Sequence, residues 1–288
     1  MELTNPSVIK EIRSRFGFDF KKSFGQNFLT SEKVLSEICY AASGSECVLE
    51  IGPGFGVLTK ELSANFEKVV AIEIDNRLPD VLAYTLEGAD NVKIIEGDCL
   101  KLDLNEIIKS EFGDRKVSVA ANLPYYITTP IITRLLESNL EIEKIVVMVQ
   151  KEVAQRLAAK PGTKDYGAIS VFCDYYTVPE IITTVPAGCF VPPPKVDSAV
   201  VSMTVRKEKD IDLISEKMFF KVVKSAFSQR RKTLLNCLVS SFPYGKDVIS
   251  EMLKSIGIEP TRRGETLSKH EFAKIADTFV SQADNKFI

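Results

Sequence analysis

From about residue 45 to residue 150, short apolar runs alternate with amphipathic stretches, and no other feature limits the possible folds as strongly. Val48–Gly52, Val69–Ile74, Val92–Glu96, Val117–Ala121 and Ile145–Val149 read as strands, with helix-like segments near 57–64, 77–87, 103–110, 130–138 and 151–159. Several strands are nearly all apolar, as expected where helices cover both faces of a sheet. Alternation at this spacing predicts an α/β fold built on a doubly wound, Rossmann-like, mostly parallel sheet.

After residue 165 the pattern changes. "AISVFCDYYTV", "EIITTVP" and "SAVVSMTVR" read as strands without intervening helices, an antiparallel end to the same sheet. From about residue 207 the chain reads as helical: "ISEKMFFKVVKSAFSQRRKTLLNCL", "DVISEMLKSI" and a segment opened by the capping box Ser268-x-x-Glu271. The expected division is a catalytic domain over 1–208, with an N-terminal arm over 1–30, and a small all-helical domain over 209–288.

Composition removes several classes of function. No stretch approaches the roughly 18 apolar residues of a membrane span, and the first 30 residues hold no apolar run of a signal peptide. The six cysteines (39, 47, 99, 173, 189 and 237) form no C-x-x-C pair. They read as reduced thiols of a cytoplasmic protein, with neither disulfide nor metal site. The one histidine, His270, falls on the capped helical segment, so a His-based triad, metal cluster or general base is not expected.

Net charge is −2, from 37 basic and 39 acidic residues. The distribution is less even than the total. From Lys217 to Lys246 there are seven Lys/Arg and no acid. A solvated helix face is the ordinary reading of such a run; a nucleic-acid contact is the sharper one.

"VLEIGPGFGVLTKEL" reads strand, Gly52-x-Gly54-x-Gly56, helix. Glycines there let the backbone come close to a ligand at a helix N-terminus. The dinucleotide fingerprint wants its third glycine where Val57 stands. Glu73 ends the next strand, placed to accept ribose hydroxyls, and Asp98 follows the third strand at the same sheet edge. Gly52, Glu73 and Asp98 outline an adenosine-shaped site with no place for pyrophosphate. S-adenosylmethionine, cationic at sulfur and free of phosphate, fits it better than NAD.

The fourth strand ends in "NLPYY". Asn122 offers one acceptor and one donor group, Pro124 holds a neighbouring carbonyl in one direction, and Tyr125 offers a face for stacking a base. That set suits the exocyclic amine of a nucleobase. Accepting its two N–H bonds would favour a more pyramidal nitrogen aimed at a methyl group, and transfer would rest on alignment and electrostatics. The target base must then be single-stranded, looped or flipped. Tyr126 is assigned a packing role.

These motifs resemble the ribosomal RNA adenine N6,N6-dimethyltransferases of the bacterial kasugamycin-sensitivity type. "SFGQNFL", "EIGPGFGVLT", "IEID", "GDCL", "NLPYYITTPI", "MVQKEVAQRL", "YGAISV", "CFVPPPKVDSAVV" and "AFSQRRKTLLNCL" follow one another in the family's order. The resemblance implies a class I methyltransferase sheet and a cofactor-binding set of Asn27, Leu29, Gly52, Gly54, Glu73, Ile74, Asp98, Cys99 and Asn122. It implies a catalytic set of Asn122, Leu123, Pro124, Tyr125 and Phe190, with Phe190 holding the base against Tyr125; without it, Phe190 reads as core. The implied substrate is a pair of adjacent adenines in a hairpin loop near the 3′ end of small-subunit rRNA, met on immature small ribosomal subunits. Lys21, Lys22, Lys221, Lys224, Arg230, Arg231 and Lys232 are the candidate RNA contacts. The chain is expected to be monomeric. Two departures stand out: Tyr126 occupies a position where many members carry Asn, and the overall charge is acidic where a basic one is expected.

Other readings stay open at this level. A macrolide-resistance type of large-subunit rRNA methyltransferase shares the catalytic motifs, although "FVPPPKVDSAVV" and "FSQRRKTLLN" look more like the small-subunit enzyme. A DNA adenine methyltransferase would want proline at Leu123. A ribosome-assembly factor with dispensable catalysis would rely on the basic C-terminal segment. An NAD oxidoreductase disagrees with Val57 and Asn122.

Overall fold

A computed structural model describes residues 1–18, 27–138 and 140–284. In chain order its elements begin with α1 (Pro6–Phe16), β1 (Phe28–Leu29), α2 (Glu32–Ala42), β2 (Cys47–Ile51), α3 (Val57–Asn65), β3 (Lys68–Glu73) and α4 (Pro79–Thr85). There follow β4 (Val92–Glu96), α5 (Leu104–Phe112), β5 (Val117–Asn122), α6 (Thr128–Glu137), β6 (Lys144–Gln150), α7 (Lys151–Leu157) and α8 (Ala168–Tyr176). The remainder is β7 (Thr177–Val185), β8 (Phe190–Val191), β9 (Ser198–Val205), α9 (Glu216–Ala226), α10 (Leu234–Val239), α11 (Lys246–Ser255) and α12 (Lys269–Asp284).

Side chains at the helix starts explain where several helices begin. Ser31, Asp103 and Ser215 each accept an N–H from the first turn of α2, α5 and α9, satisfying donors with no partner inside the helix. The capping box of α12 forms in both directions: Ser268 N–H donates to Glu271 Oε2 at 2.8 Å, and Glu271 N–H to Ser268 Oγ at 3.3 Å.

By its contacts the chain forms two units, Met1–Ala154 with Pro179–Val205, and Gln155–Val178 with Arg206–Ile288. The expected split at 208 lies close to the third crossing, after Val205, whereas residues 155–178 group with the C-terminal unit.

In the first unit, strands run in the order β4-β3-β2-β5-β6-β9-β7. β4, β3, β2, β5 and β6 are parallel, and β9 joins β6 antiparallel, Gln150 opposite Ser198. β2 is buried along its whole length and β5 up to Asn122, whereas the edge strand β4 is only half covered. Strand order reverses where β5 and β3 flank β2, so a crevice opens beyond their carboxyl ends. Gly52, Glu73, Asp98 and Asn122 all lie at or just past those ends. β1 and β8 form a separate antiparallel ladder, Phe28 opposite Val191 and Leu29 opposite Phe190.

The second unit corrects two expectations. Residues 168–176 are helical, not a strand. A buried β-branched and aromatic run does not by itself distinguish the two. Helical spacing places Phe172, Tyr175 and Tyr176 on one face, where all three meet Phe220 of α9. Ser170 Oγ accepts the Gly167 N–H at 3.0 Å and fixes the start. The long helix expected over 214–238 is also broken: α9 ends at Ala226, and Thr233 caps a new helix, α10. "SQRRK" therefore occupies the turn between them.

Candidate active site

The sharp turn after β2 depends on glycine. Gly52 and Gly54 have φ of +72° and +59°, a left-handed region that disfavours any side chain. A Cβ on Gly54 would also stand 2.9 Å from the Phe28 ring. Gly54 N–H donates to Glu73 Oε2 at 3.1 Å, and Asp75 N–H donates to Glu73 Oε1 at 2.8 Å. The glycine turn and the Glu73 carboxylate thus hold each other in place, one bond to each oxygen. Burial pushes the Glu73 carboxyl above its ordinary range.

Beyond these strand ends lies a cavity of about 120 Å³. Asn27, Leu29, Gly52, Gly54, Glu73, Ile74, Asp98, Cys99, Asn122, Leu123, Pro124 and Tyr125 all line it. The structure therefore gathers the whole expected cofactor set and all of the expected catalytic set except Phe190. Burial first, then Asp98, pushes the Cys99 thiol up to about 11, so Cys99 serves as an uncharged wall.

Sequence reading missed Glu50. It is the fourth of the five buried residues of β2, lines the cavity, and has an Oε2 without a hydrogen-bond partner. Burial pushes its carboxyl up to about 8, with the nearby Glu73 adding to the rise. The signal was present as a lone acid inside an otherwise apolar strand, "CVLEI".

These charges describe the ligand. Glu50, Glu73 and Asp98 line the cavity, and no Lys, Arg or His does among the described residues. A pyrophosphate there would meet carboxylates and no cation. A cationic, phosphate-free ligand would meet the Glu73 and Asp98 carboxylates, favour ionisation of Glu50 and offer a partner to its unpaired Oε2. S-adenosylmethionine fits on both counts.

Asn122 stands at the end of β5. Its Nδ2 donates to the main-chain oxygen of Asn27 at 2.9 Å. A carbonyl can only accept, so this contact fixes which end of the amide faces it. Oδ1 is left as the free acceptor of a residue that lines the cavity. Of the carbonyls beside it, that of Pro124 already accepts from Ile127 N–H and Thr128 Oγ1, both at 3.2 Å. The Leu123 carbonyl is the acceptor that remains, which sharpens the expectation of a rigid carbonyl beside Pro124. The Tyr125 hydroxyl is 2.7 Å from Ser198 Oγ at the start of β9, and Ser198 is fully buried. The ring is thereby tethered at its far end.

Two expectations need correction. Phe190 is 2% exposed, packs in the core and does not line the cavity, because β8 is paired to β1 with Phe190 opposite Leu29. Tyr126 does not pack: it is 61% exposed and lines the cavity.

The basic candidates lie in the helical unit. Lys221, Lys224, Arg230, Arg231 and Lys232 are all exposed. Arg230 is engaged with Glu265 and the Lys164 carbonyl, and Lys221 Nζ lies 4.6 Å from the Phe242 ring centre. Lys21 and Lys22 fall outside the described residues. His270 is exposed on α12. Among the described residues no group of His, Cys, Asp and Glu has the makings of a metal site, and no helix is long and apolar enough to cross a membrane.

Comparison with known proteins agrees with this geometry. The family model described as "Ribosomal RNA adenine dimethylase" matches residues 17–280. A curated relative, ribosomal RNA small subunit methyltransferase A of Geobacillus thermodenitrificans, is 50% identical over 285 residues, covering 97% of each chain. Among solved structures, a dimethyladenosine transferase from Plasmodium falciparum superposes with a TM-score of 0.73 at 25% identity, covering 91% of this chain and 98% of that one. The 23S rRNA methyltransferase ErmE gives 0.67 at 25% identity, covering 88% and 99%.

Proposed function

The chain belongs to the ribosomal RNA adenine dimethylase family, and from that premise we propose that its substrate is a pair of adjacent adenines in a hairpin loop near the 3′ end of small-subunit rRNA. It is an rRNA adenine methyltransferase that uses S-adenosylmethionine. We propose further that it meets its target on immature small ribosomal subunits, acts as a monomer and works in the cytoplasm. The small-subunit assignment is supported by the relative at 50% identity, whose name specifies that subunit; the large-subunit enzyme is only 25% identical.

The observation that carries the catalytic reading is the fixed amide of Asn122. S-adenosylmethionine supplies, when bound, an electrophilic methyl group on a sulfonium. Glu73 would accept ribose hydroxyls, Asp98 would face the adenosine end, and Glu50 would lie against the positive charge. The flipped adenine would donate its two N6 hydrogens to Asn122 Oδ1 and the Leu123 carbonyl. Both acceptors are held before the substrate arrives, so the nitrogen lone pair is aimed without reorganisation at the moment of transfer. Tyr125, tethered to Ser198, holds the ring plane, and with Phe190 in the core it bears the stacking. Transfer would exchange the sulfonium S–CH3 bond for an N6–CH3 bond, with a neutral thioether leaving, and the cationic, strongly acidic nitrogen would lose its proton to water. No histidine is needed.

The test is mass-spectrometric mapping of rRNA after incubating the purified protein, labelled methyl donor and either undermethylated small subunits or large subunits. Two adjacent dimethyladenines in the small-subunit rRNA are expected. Label confined to large-subunit rRNA would reverse the choice of substrate.

A further inference from the structure

Tyr126 combines three properties. It is 61% exposed, it borders the cavity, and among the described residues it has no hydrogen-bond, ring or cation partner. The other aromatic side chains lining the cavity are committed: Tyr125 is tied to Ser198, and Phe28 stacks on Phe55 with centroids 4.2 Å apart. Exposed apolar side chains are ordinary on a protein surface; what sets Tyr126 apart from the others is that its free ring face borders the cavity, where a ligand ring could stack on it.

We propose that Tyr126 is a stacking platform for a second nucleobase, the neighbour of the flipped target adenine, held at the mouth of the cavity. The inference rests on the rRNA adenine reading above. A flipped base leaves its neighbour unstacked on one side, and a protein aromatic can replace the lost partner whatever the base, since every base has a π face. Adjacency in the chain provides the geometry. Tyr125 and Tyr126 are consecutive on a segment fixed by Pro124, one side chain tethered inward and the other turned out to solvent, as two neighbouring nucleotides going separate ways would require. With two adjacent adenines as substrate, the base on the platform side is the other adenine for one methylation and the next base of the loop for the other, and any base can stack there. Both methylation sites would therefore be served by one surface.

Methyl transfer to undermethylated small subunits by wild type, Tyr126→Phe and Tyr126→Ala tests this, with methyl-donor affinity measured by calorimetry. Tyr126→Ala is expected to raise KM for the particle about 10-fold, in line with stacking of roughly 1–3 kcal/mol per base, for both adenines alike. Its kcat and donor affinity stay at wild-type values, the pattern of lost uniform binding. Tyr126→Phe keeps the π face and retains the wild-type KM. An unchanged KM in Tyr126→Ala overturns the proposal. So does weaker donor binding, which makes the ring a cofactor wall, or a fall in kcat alone, which makes it a group acting on the target base. An equal defect in Tyr126→Phe assigns the role to the hydroxyl and also overturns it. Wild-type protein that leaves small subunits unmodified, but modifies another RNA, removes the parent reading first and this one with it.

Discussion

The side-chain amide of Asn122 and the main-chain carbonyl of Asn27, 95 residues apart in sequence, are joined by a hydrogen bond of 2.9 Å. One backbone oxygen in the N-terminal segment thus decides the orientation of the amide that is to accept the substrate amine. Asn27 also lines the cavity, so in the proposed reading the cofactor wall and the substrate acceptor share a single piece of backbone. Asn122→Asp tests this relationship directly. The change is nearly isosteric, but it replaces the donor with a carboxylate oxygen facing the Asn27 carbonyl, and the resulting repulsion would turn the side chain. A fall in kcat of about 10²–10³-fold is expected, the scale for losing one preorganised polar group at a reacting centre. Label incorporation into small subunits measures it, and a circular dichroism spectrum like that of wild type shows the fold retained.

Ser198 meets the proposed substrate site only through its 2.7 Å contact with the Tyr125 hydroxyl. Burial pushes the Tyr125 phenol above its ordinary range, with the Ser198 hydrogen bond opposing the rise, so the phenol is neutral at working pH and free to donate. Ser198→Ala unties the ring. Loss of tethering is expected to lower kcat several-fold, with methyl-donor affinity unchanged. Tyr125→Phe already lacks the hydroxyl, so adding Ser198→Ala to it costs little more; the two changes are coupled by about 1 kcal/mol in a double-mutant cycle. Additive effects would show that the 2.7 Å contact has no part in placing the ring.

Glu50 makes the stability of the ligand-free protein depend on pH. Its carboxyl, raised by burial to about 8, keeps a proton in the folded state that the unfolded chain loses near the ordinary Glu value of about 4.3. Between those values the native state binds more protons, so stability falls as pH rises and levels off above about 8. Glu50→Gln removes this titration. Urea unfolding should find the variant equal to wild type near pH 4 and more stable by on the order of a few kcal/mol at pH 8. A gap that is constant across the series would mean that Glu50 ionises normally.

Much of this was legible from sequence, for identifiable reasons. The parallel strands were readable because buried strands are apolar throughout and end in polar residues at one sheet edge; Gly52, Glu73, Asp98 and Asn122 mark those ends. Residues 168–176 were not, because an all-apolar run with β-branched and aromatic members carries no period that separates strand from buried helix. Only packing on Phe220 decides it. Phe190 reads as core from its own residues and takes the base only through the resemblance, whereas Tyr126 is given a packing role because adjacency to a motif says nothing about which way a side chain turns. The β1–β8 ladder buries one, and the Pro124 segment exposes the other. Glu50 escaped notice because a single acid in a strand gains meaning only once its neighbours are known to be buried.

Among the candidate RNA contacts, Lys224, Arg231 and Lys232 are exposed and, among the described residues, have no side-chain ion pair or hydrogen bond, whereas Lys221 packs over Phe242. The two groups should separate experimentally. Replacing Lys224, Arg231 and Lys232 together with Gln removes charge without removing a contact that holds the fold, so the melting temperature should stay within about 1 °C of wild type. If each residue meets a phosphate, affinity for small subunits should fall. The slope of log K against log salt should also become shallower by about 0.7–0.9 per lost contact. Lys221→Ala, by contrast, strips the aliphatic stem and the cation from the Phe242 ring and should cost about 0.5–1 kcal/mol of stability, whatever it does to binding. Binding titrations at several salt concentrations, run beside thermal melts, distinguish these outcomes. A triple variant with an unaltered salt slope would place the RNA interface elsewhere on the protein.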